Sequence, residues 1–267
     1  MSSTTSSRAA GAEPGLTAGG GQPALQARSL SKSYRSPVLR DLDLDIEQGQ
    51  FVAIMGPSGS GKSTLLHCLS GMDRPDSGLV LLGDTEITAL SEKELAALRL
   101  TRFGFVFQQA HLMTTLCLLD NIVLPGFLAG LSPRTEITTR GEELMERMGI
   151  ADLAASGVTE VSGGQLQRAG ICRALINDPG IVFADEPTGA LNSATALQIL
   201  DLLGDVHASG TTLVMVTHDA QVAARADRIL VLVDGRIVED LFLGRYEEAE
   251  TPSRLAAVTE ALQRRSV

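Results

Sequence analysis

Gly56-Pro57-Ser58-Gly59-Ser60-Gly61-Lys62-Ser63-Thr64 joins the apolar run Phe51-Val52-Ala53-Ile54-Met55 to Leu65-Leu66-His67-Cys68-Leu69. A short unbroken apolar run marks a strand buried on both faces, so the pattern predicts strand, glycine-rich turn and helix. The spacing G-x-x-x-x-G-K-S is that of the phosphate-cradling Walker A loop. Its glycines let successive N–H groups curl around phosphate oxygens at a helix N-terminus, where the dipole favours negative charge. In that geometry Lys62 reaches the β- and γ-phosphates and the Ser63 hydroxyl sits on Mg²⁺. A flexible Gly/Ser surface turn would leave the flanking strand and helix unexplained. The stretch predicts a nucleoside triphosphate site.

Outward from the loop, two further short apolar runs occur, Ile181-Val182-Phe183-Ala184 and Leu213-Val214-Met215-Val216. Both read as buried strands. Between them Leu197, Leu200 and Leu203 suggest the apolar stripe of a helix. Leu42, Leu44 and Ile46 alternate with Asp43 and Asp45, a half-buried strand, and Gly49-Gln50 turns the chain toward the loop. Leu79–Leu82, Gly83-Asp84 and Thr85–Ile87 read as a hairpin, as do Ile229–Val233, Asp234-Gly235 and Arg236–Val238. Ser91 and Glu94 form a capping-box signature. Residues 89–165 are mainly helical by pattern, with Ser132-Pro133 as N-cap and first helical residue of one helix. Leu112, Met113, Leu116, Leu118 and Leu119 lie in that stretch, either as core or as a groove for a partner helix. Thr251-Pro252 opens a last helix with Leu255, Val258 and Leu262 on one face. Residues 1–23, rich in Ser, Thr, Gly and Ala, read as a disordered leader. Alternating strands and helices imply an α/β core carrying a helical insertion.

The chain has 267 residues, 44% hydrophobic and 20% charged, which suits one large packed domain with an inserted subdomain. No apolar run approaches the roughly 20 residues of a membrane-spanning helix, and no secretory h-region is visible at the N-terminus. Cys68, Cys117 and Cys172 are too few and too widely spaced for a disulfide framework or zinc site. A net charge of −10 argues against nonspecific binding of nucleic acid. It is compatible with the basic cytoplasmic loops of membrane proteins.

Two more motifs carry chemistry. The run 181–184 ends in Asp185-Glu186-Pro187, a Walker B-like element. Asp185 at the strand's carboxyl end would hold Mg²⁺ near Ser63, and Glu186 would orient or deprotonate an attacking water. Val161-Ser162-Gly163-Gly164-Gln165 precedes a helix carrying Leu166, Ile171 and Leu175. Ser162 and two glycines at a helix start form a second anion-binding nest. One nucleotide does not need two nests on one subunit, but two subunits head-to-tail would let each nest cap the other's γ-phosphate.

With these motifs in place, the chain resembles the ATP-binding cassette (ABC) ATPases over residues 24–240. The resemblance implies a P-loop NTPase (RecA-like) α/β core with an antiparallel β subdomain and an α-helical subdomain inserted over 89–165. Residues 241–267 would then be a C-terminal extension with one helix. It also assigns residues that are uninformative alone. Tyr34, 22 residues before Gly56, stands where the family stacks an aromatic on adenine. Gln108, in Phe105-Val106-Phe107-Gln108-Gln109, matches the Q-loop that contacts Mg²⁺ and water and hinges the helical subdomain. His218 matches the switch histidine at the γ-phosphate; His67, His111 and His207 read as ordinary helix or loop residues. Two positions depart from the family pattern: Val161 where Leu is usual, and Asn192 where Asp is usual.

The Thr85–Leu90 strand and turn, the 105–109 stretch and Asp120–Pro125 resemble the subgroup of macrolide-efflux, lipoprotein-release, bacitracin-resistance and cell-division ATPases. That subgroup works with an integral membrane permease of the FtsX-like type. The resemblance implies an ATPase homodimer around two MgATP on the cytoplasmic face of the membrane, held there by its permease. Glu186, His218 and Gln108 are the implied catalytic set. The competing readings are a soluble ABC ATPase acting on nucleic acid or ribosomes, and a nucleotide-binding module without turnover.

Overall fold

The computed structural model describes residues 23–264, so all but the last residue of the expected leader lies outside the described residues. Strands β1 (Leu25–Ser33) and β2 (Pro37–Ile46) pair antiparallel, with Leu42, Leu44 and Ile46 buried as their alternation requires. β3 (Phe51–Met55) is buried throughout and passes through the Gly56–Gly61 loop into α1 (Lys62–Leu69). β4 (Ser77–Leu82) and β5 (Thr85–Glu86) form the expected hairpin around Gly83-Asp84. Ser91 and Glu94 cap α2 (Glu92–Arg102) reciprocally. Then follow β6 (Phe103–Phe107), α3 (Leu118–Ala129), α4 (Arg134–Arg147) and α5 (Gly163–Leu175). The remaining order is β7 (Ile181–Asp185), α6 (Ser193–Ala208), β8 (Thr212–Val216), α7 (Ala220–Ala223), β9 (Arg228–Val233), β10 (Arg236–Phe242) and α8 (Thr251–Arg264).

Among the described residues the strands form two sheets, an antiparallel one ordered β2-β1-β4-β5 and a second ordered β10-β9-β3-β8-β7-β6. The second is parallel except for β10, which closes its edge as an antiparallel hairpin with β9. Its alternate residues feed two cores. Ala53, Ala184, Met215 and Val231 join the apolar faces of α3, α4, α5 and α6. Ile54, Phe183, Val216 and Leu230 join α1, α2 and the antiparallel sheet. The parallel sheet is therefore the middle layer, and the unbroken apolar runs follow from burial on both sides.

Four expectations are corrected. The helical insertion over 89–165 is interrupted by β6, which pairs with β7 as an edge strand of the parallel sheet; its Phe-Gly-Phe-Val-Phe pattern meets α2 with no turn residue between them. Residues 112–117 are not helical, because buried Asn121 clasps them. Its Oδ1 accepts from Met113 N at 2.6 Å, and its Nδ2 donates to the carbonyls of Met113, Leu116 and Cys117. Met113 is exposed, and α3 starts only at Leu118. Pro133, extended at ψ 146°, is itself the N-cap of α4, so Ser132 lies outside the helix. On α6 the buried stripe is Ile199, Leu200, Leu203 and Val206, and Leu197 is half exposed.

The C-terminal helix is fastened to the domain. Arg254, 4% exposed, donates to the carbonyls of Ala224, Ala226, Leu243, Gly244 and Arg245. The histidine read as structural, His207, has its Nε2 2.9 Å from Gly49 O and 3.0 Å from Asp227 Oδ2, tying the turn before β3 to the start of β9.

Candidate nucleotide site

The site forms where parallel strands end at one edge of the sheet, the usual ligand edge of such sheets. Register sets its plan: Ile54 of β3 lies opposite Val216 of β8, and Val216 lies opposite Asp185 of β7, which lies opposite Phe107 of β6. Gly56, Glu186, Thr217 and Gln108 therefore leave the sheet within one or two residues of a common level.

The loop after β3 has the shape its glycines allow. Gly56 has φ +146°, and a Cβ there would stand 2.0 Å from the Leu232 carbonyl oxygen. Ser60 ties the loop to the β9–β10 turn by accepting from Gly235 N at 3.1 Å, while its buried Oγ has no partner among the described residues. Lys62 Nζ donates to Gly56 O at 2.9 Å and Pro57 O at 2.8 Å, folded over its own loop. Burial holds this ammonium below its usual pKa, against the opposing pull of Glu186 and Asp185.

Ser63 Oγ donates to Asp185 Oδ1 at 3.2 Å. Burial pushes the Asp185 carboxyl above the usual range, and the Ser63 hydrogen bond offsets part of that. A hydroxyl and a carboxylate side by side are the hard oxygen donors Mg²⁺ takes, completing its shell with phosphate and water. Glu186 turns sharply away from β7 with φ +50°, its N–H donating to Val216 O at 3.0 Å. His218 Nδ1 and Glu186 Oε2 are 2.7 Å apart. Gln108 reaches the same loop: its Nε2 sits 2.9 Å from where a Cβ on Gly189 would stand, and Gly189 N donates to Glu186 O.

Ser162 caps α5, accepting from Gln165 N at 3.4 Å, while Gln165 Oε1 turns back to accept from Ser162 N at 2.8 Å. The Gln165 carbonyl thus shapes the turn. Gly164 has no room for a side chain, since a Cβ would lie 2.5 Å from Thr195 Cγ2 on α6. Asn192 Oδ1 caps α6 by accepting from Thr195 N at 3.0 Å, a role Asp would fill equally. Among the described residues no hydrogen bond or ion pair joins the 162–165 turn to residues 56–64. Tyr34, just past β1, is 60% exposed, and its hydroxyl is bound by Asp73.

The structure thus brings Lys62, Ser63, Asp185, Glu186, His218 and Gln108 together. It leaves the Ser162–Gln165 turn apart from them, as the capped start of α5. Motif reading missed Asp73, Gly189 and Thr195, which support these groups.

Residues 39–189 match the family model described as ABC transporter. The chain is 46% identical over 225 residues to the macrolide export ATP-binding/permease protein MacB 1/2 of Paracoccus denitrificans. It is 47% identical over 241 residues to a protein of the same name, MacB, from Rhodopseudomonas palustris. Those alignments take in 82% and 88% of this chain but only 34% and 36% of the relatives, so the chain spans about a third of their length. Among solved structures, the dimeric bacterial ABC transporter cassette MJ0796 superposes with a TM-score of 0.77 at 37% identity. A dimeric post-hydrolysis state of MJ0796 with ADP and Pi gives a TM-score of 0.74 at 35% identity. Each superposition covers 83% of this chain and 100% of that one. A phosphate loop and a carboxylate beside it on one sheet edge, together with these matches, establish that the chain belongs to the ABC transporter family as an ATP-binding cassette.

Proposed function

We propose that this chain hydrolyses ATP as one of two identical subunits and drives a partner membrane permease. The observation that carries the reading is the division of the phosphate-binding parts. Lys62 and the loop amides form one half-site, and the capped Ser162–Gln165 turn forms another with no bond to it. Facing copies bring each turn to the other's nucleotide. That both MJ0796 structures are dimers supports the arrangement.

In this reading Tyr34 stacks on adenine, and residues Gly56–Thr64 hold the phosphates, Lys62 by its charge. Ser63, Asp185 and Gln108 would hold Mg²⁺, which when bound neutralises charge on the phosphate oxygens. Glu186 accepts the proton of the attacking water, and His218, bound to Glu186, positions the γ-phosphate. Ser162, Gly163, Gly164 and Gln165 of the facing copy complete the shell. Catalysis is placement and charge stabilisation. ATP favours the closed pair because it touches both subunits, and hydrolysis removes that differential contact.

The permease reading rests on the MacB relatives, whose names join an ATP-binding part to a permease. Among the described residues no helix is long and apolar enough to cross a membrane. With a permease as partner, the chain would sit on the cytoplasmic face, as the family resemblance implies. A cavity of about 480 Å³ between α2, β6, α3 and α5 is lined by Met72, Phe105, Phe107, His111 and Pro125. It adjoins the Gln108 loop and suits a permease coupling helix better than the 112–119 stretch. Macrolides and antibiotic peptides are the substrate classes the resemblance suggests.

Complementation tests the dimer. Lys62→Ala and Ser162→Arg chains should each be inactive alone, because each spoils both composite sites. Mixed, they should recover activity, since a hybrid dimer retains one intact site. No recovery, with both variants folded, refutes the head-to-tail site. Co-purification with a membrane permease supports the partner; co-purification with ribosomes or DNA instead refutes it.

A further inference from the structure

An exposed tyrosine beyond the end of a strand would ordinarily sample several rotamers, and stacking a ligand on it would carry the entropy of freezing it. Tyr34 is not free in this way. Its hydroxyl donates to Asp73 Oδ2 at 2.5 Å, and Lys32 Nζ lies over its ring 5.1 Å from the centroid. Lys32 in turn donates to Asp73 Oδ1 at 2.8 Å and Arg74 O at 2.6 Å. Each oxygen of one carboxylate is therefore engaged, one by the ring's hydroxyl and the other by the ammonium backing the ring. Asp73 is itself fixed: its N–H and that of Met72 both donate to His67 O, in the last turn of α1. That helix begins at Lys62 and Ser63.

We propose that Asp73, with Lys32, is a positioning residue that pins the ring of Tyr34 to the helix carrying the phosphate loop, so adenine and phosphates meet one pre-set unit. The inference rests on the reading of Tyr34 as the adenine platform. Charge supports it: hydrogen bonding to Asp73 holds Lys32 above its usual pKa. Asp73 stays below the usual carboxylate range because the Lys32 and Tyr34 hydrogen bonds outweigh its burial. Lys32 is also buried, its side chain 11% exposed, which a solvated surface pair would not be.

The test compares MgATP with Mg tripolyphosphate, which carries the phosphates and no base, in the full chain. Tyr34→Ala should raise KM for ATP by about 5- to 150-fold, the range of base–aromatic stacking. Asp73→Ala and Tyr34→Phe should each raise it by about three- to tenfold, one net hydrogen bond, with kcat within about twofold. Neither should change inhibition by tripolyphosphate. The double variant Tyr34→Phe/Asp73→Ala should lose clearly less than the sum of the single losses, because both remove the Tyr34–Asp73 contact.

An unchanged KM in Tyr34→Ala overturns the adenine platform and the tether with it. A raised KM there, with Asp73→Ala and Tyr34→Phe unaffected, overturns the tether alone. Asp73→Ala weakening tripolyphosphate as much as ATP also overturns it, because Asp73 then supports the phosphate loop and not the ring. Additive losses in the double variant overturn it as well.

Discussion

Glu186→Gln should stop turnover while leaving the folded ATP complex intact. The substitution is isosteric, and a glutamine Oε1 can still accept from His218 across the present 2.7 Å contact, so the loop after β7 keeps its shape. The amide cannot take a proton from water. Loss of a positioned general base reduces rate by about 10²- to 10⁴-fold, or about 2.7–5.4 kcal/mol of barrier. In the proposed reading binding is carried by other groups, chiefly Lys62 and the amides of the 56–61 loop, so ATP affinity should change little. Since hydrolysis is what removes the contact shared by both subunits, the lifetime of the ATP-bound pair should lengthen by a similar factor until ATP release takes over. Steady-state phosphate release reads the first effect, and light scattering after size-exclusion with MgATP reads the second. Glu186→Ala is the control: it leaves His218 without its acceptor and should lose activity without gaining as stable a dimer. Turnover of Glu186→Gln within tenfold of the parent would remove Glu186 from its role. A slow variant that stays monomeric with MgATP would break the link between hydrolysis and dimer opening.

Three other outcomes follow from the geometry. Asp185 is raised above its unfolded pKa by burial, so folding disfavours its ionised form. Asp185→Asn should therefore raise the melting temperature of the nucleotide-free protein in EDTA at pH 7, with the gain shrinking as pH falls through the carboxylate range, and should abolish Mg²⁺-dependent stabilisation by ATP. Arg254→Ala removes the donor to five carbonyls and should destabilise the chain by at least about 3 kcal/mol, two charge-assisted hydrogen bonds' worth, with early proteolysis near α8. Gly164→Ala should sharply reduce ATPase activity by driving its Cβ against Thr195 Cγ2, and adding Thr195→Ala should restore much of it; equal activity of the single and double variants would show that the clash is not the cause.

Most of the fold was legible because burial on both faces leaves a plain mark. β3 is an unbroken apolar run, and β7 and β8 carry such runs at 181–184 and 213–216. β6 was hidden for lack of punctuation: Arg102 ends α2 and Phe103 begins the strand. Leucines at 112, 116 and 119 mimic helical spacing, yet one buried amide, Asn121, satisfies that backbone in an irregular form. Periodicity registers where apolar side chains are. It does not register which polar side chain competes for the backbone. Leu197 shows the complementary limit: it fits the helical period, but it lies beside Glu186 and His218 in a cleft that opens at the nucleotide edge.

The residues proposed to touch nucleotide were legible for a different reason. Apart from Tyr34 and the 162–165 turn, they follow parallel strands, which deliver their carboxyl ends to one edge, so each contributes a short run at a strand-to-loop junction, and each run is a motif. The residues that hold those groups obey no such locality. Asp73 is 39 positions from Tyr34, and Thr195 meets Gly164 from another helix. Asn192 illustrates what the coordinates add to a departure from family pattern. Its Oδ1 accepts from Thr195 N as an aspartate would, so the loss of charge leaves the start of α6 intact, and Thr195 stays where it sets the space at Gly164. The proposed facing-copy arrangement would then place any consequence of that substitution at the dimer contact. Asn192→Asp should leave the unfolding free energy of the monomer within about 0.5 kcal/mol of the parent, as for other surface changes, while altering only the dimer-dependent rate. A shift in monomer stability beyond that would place the effect of residue 192 inside its own fold.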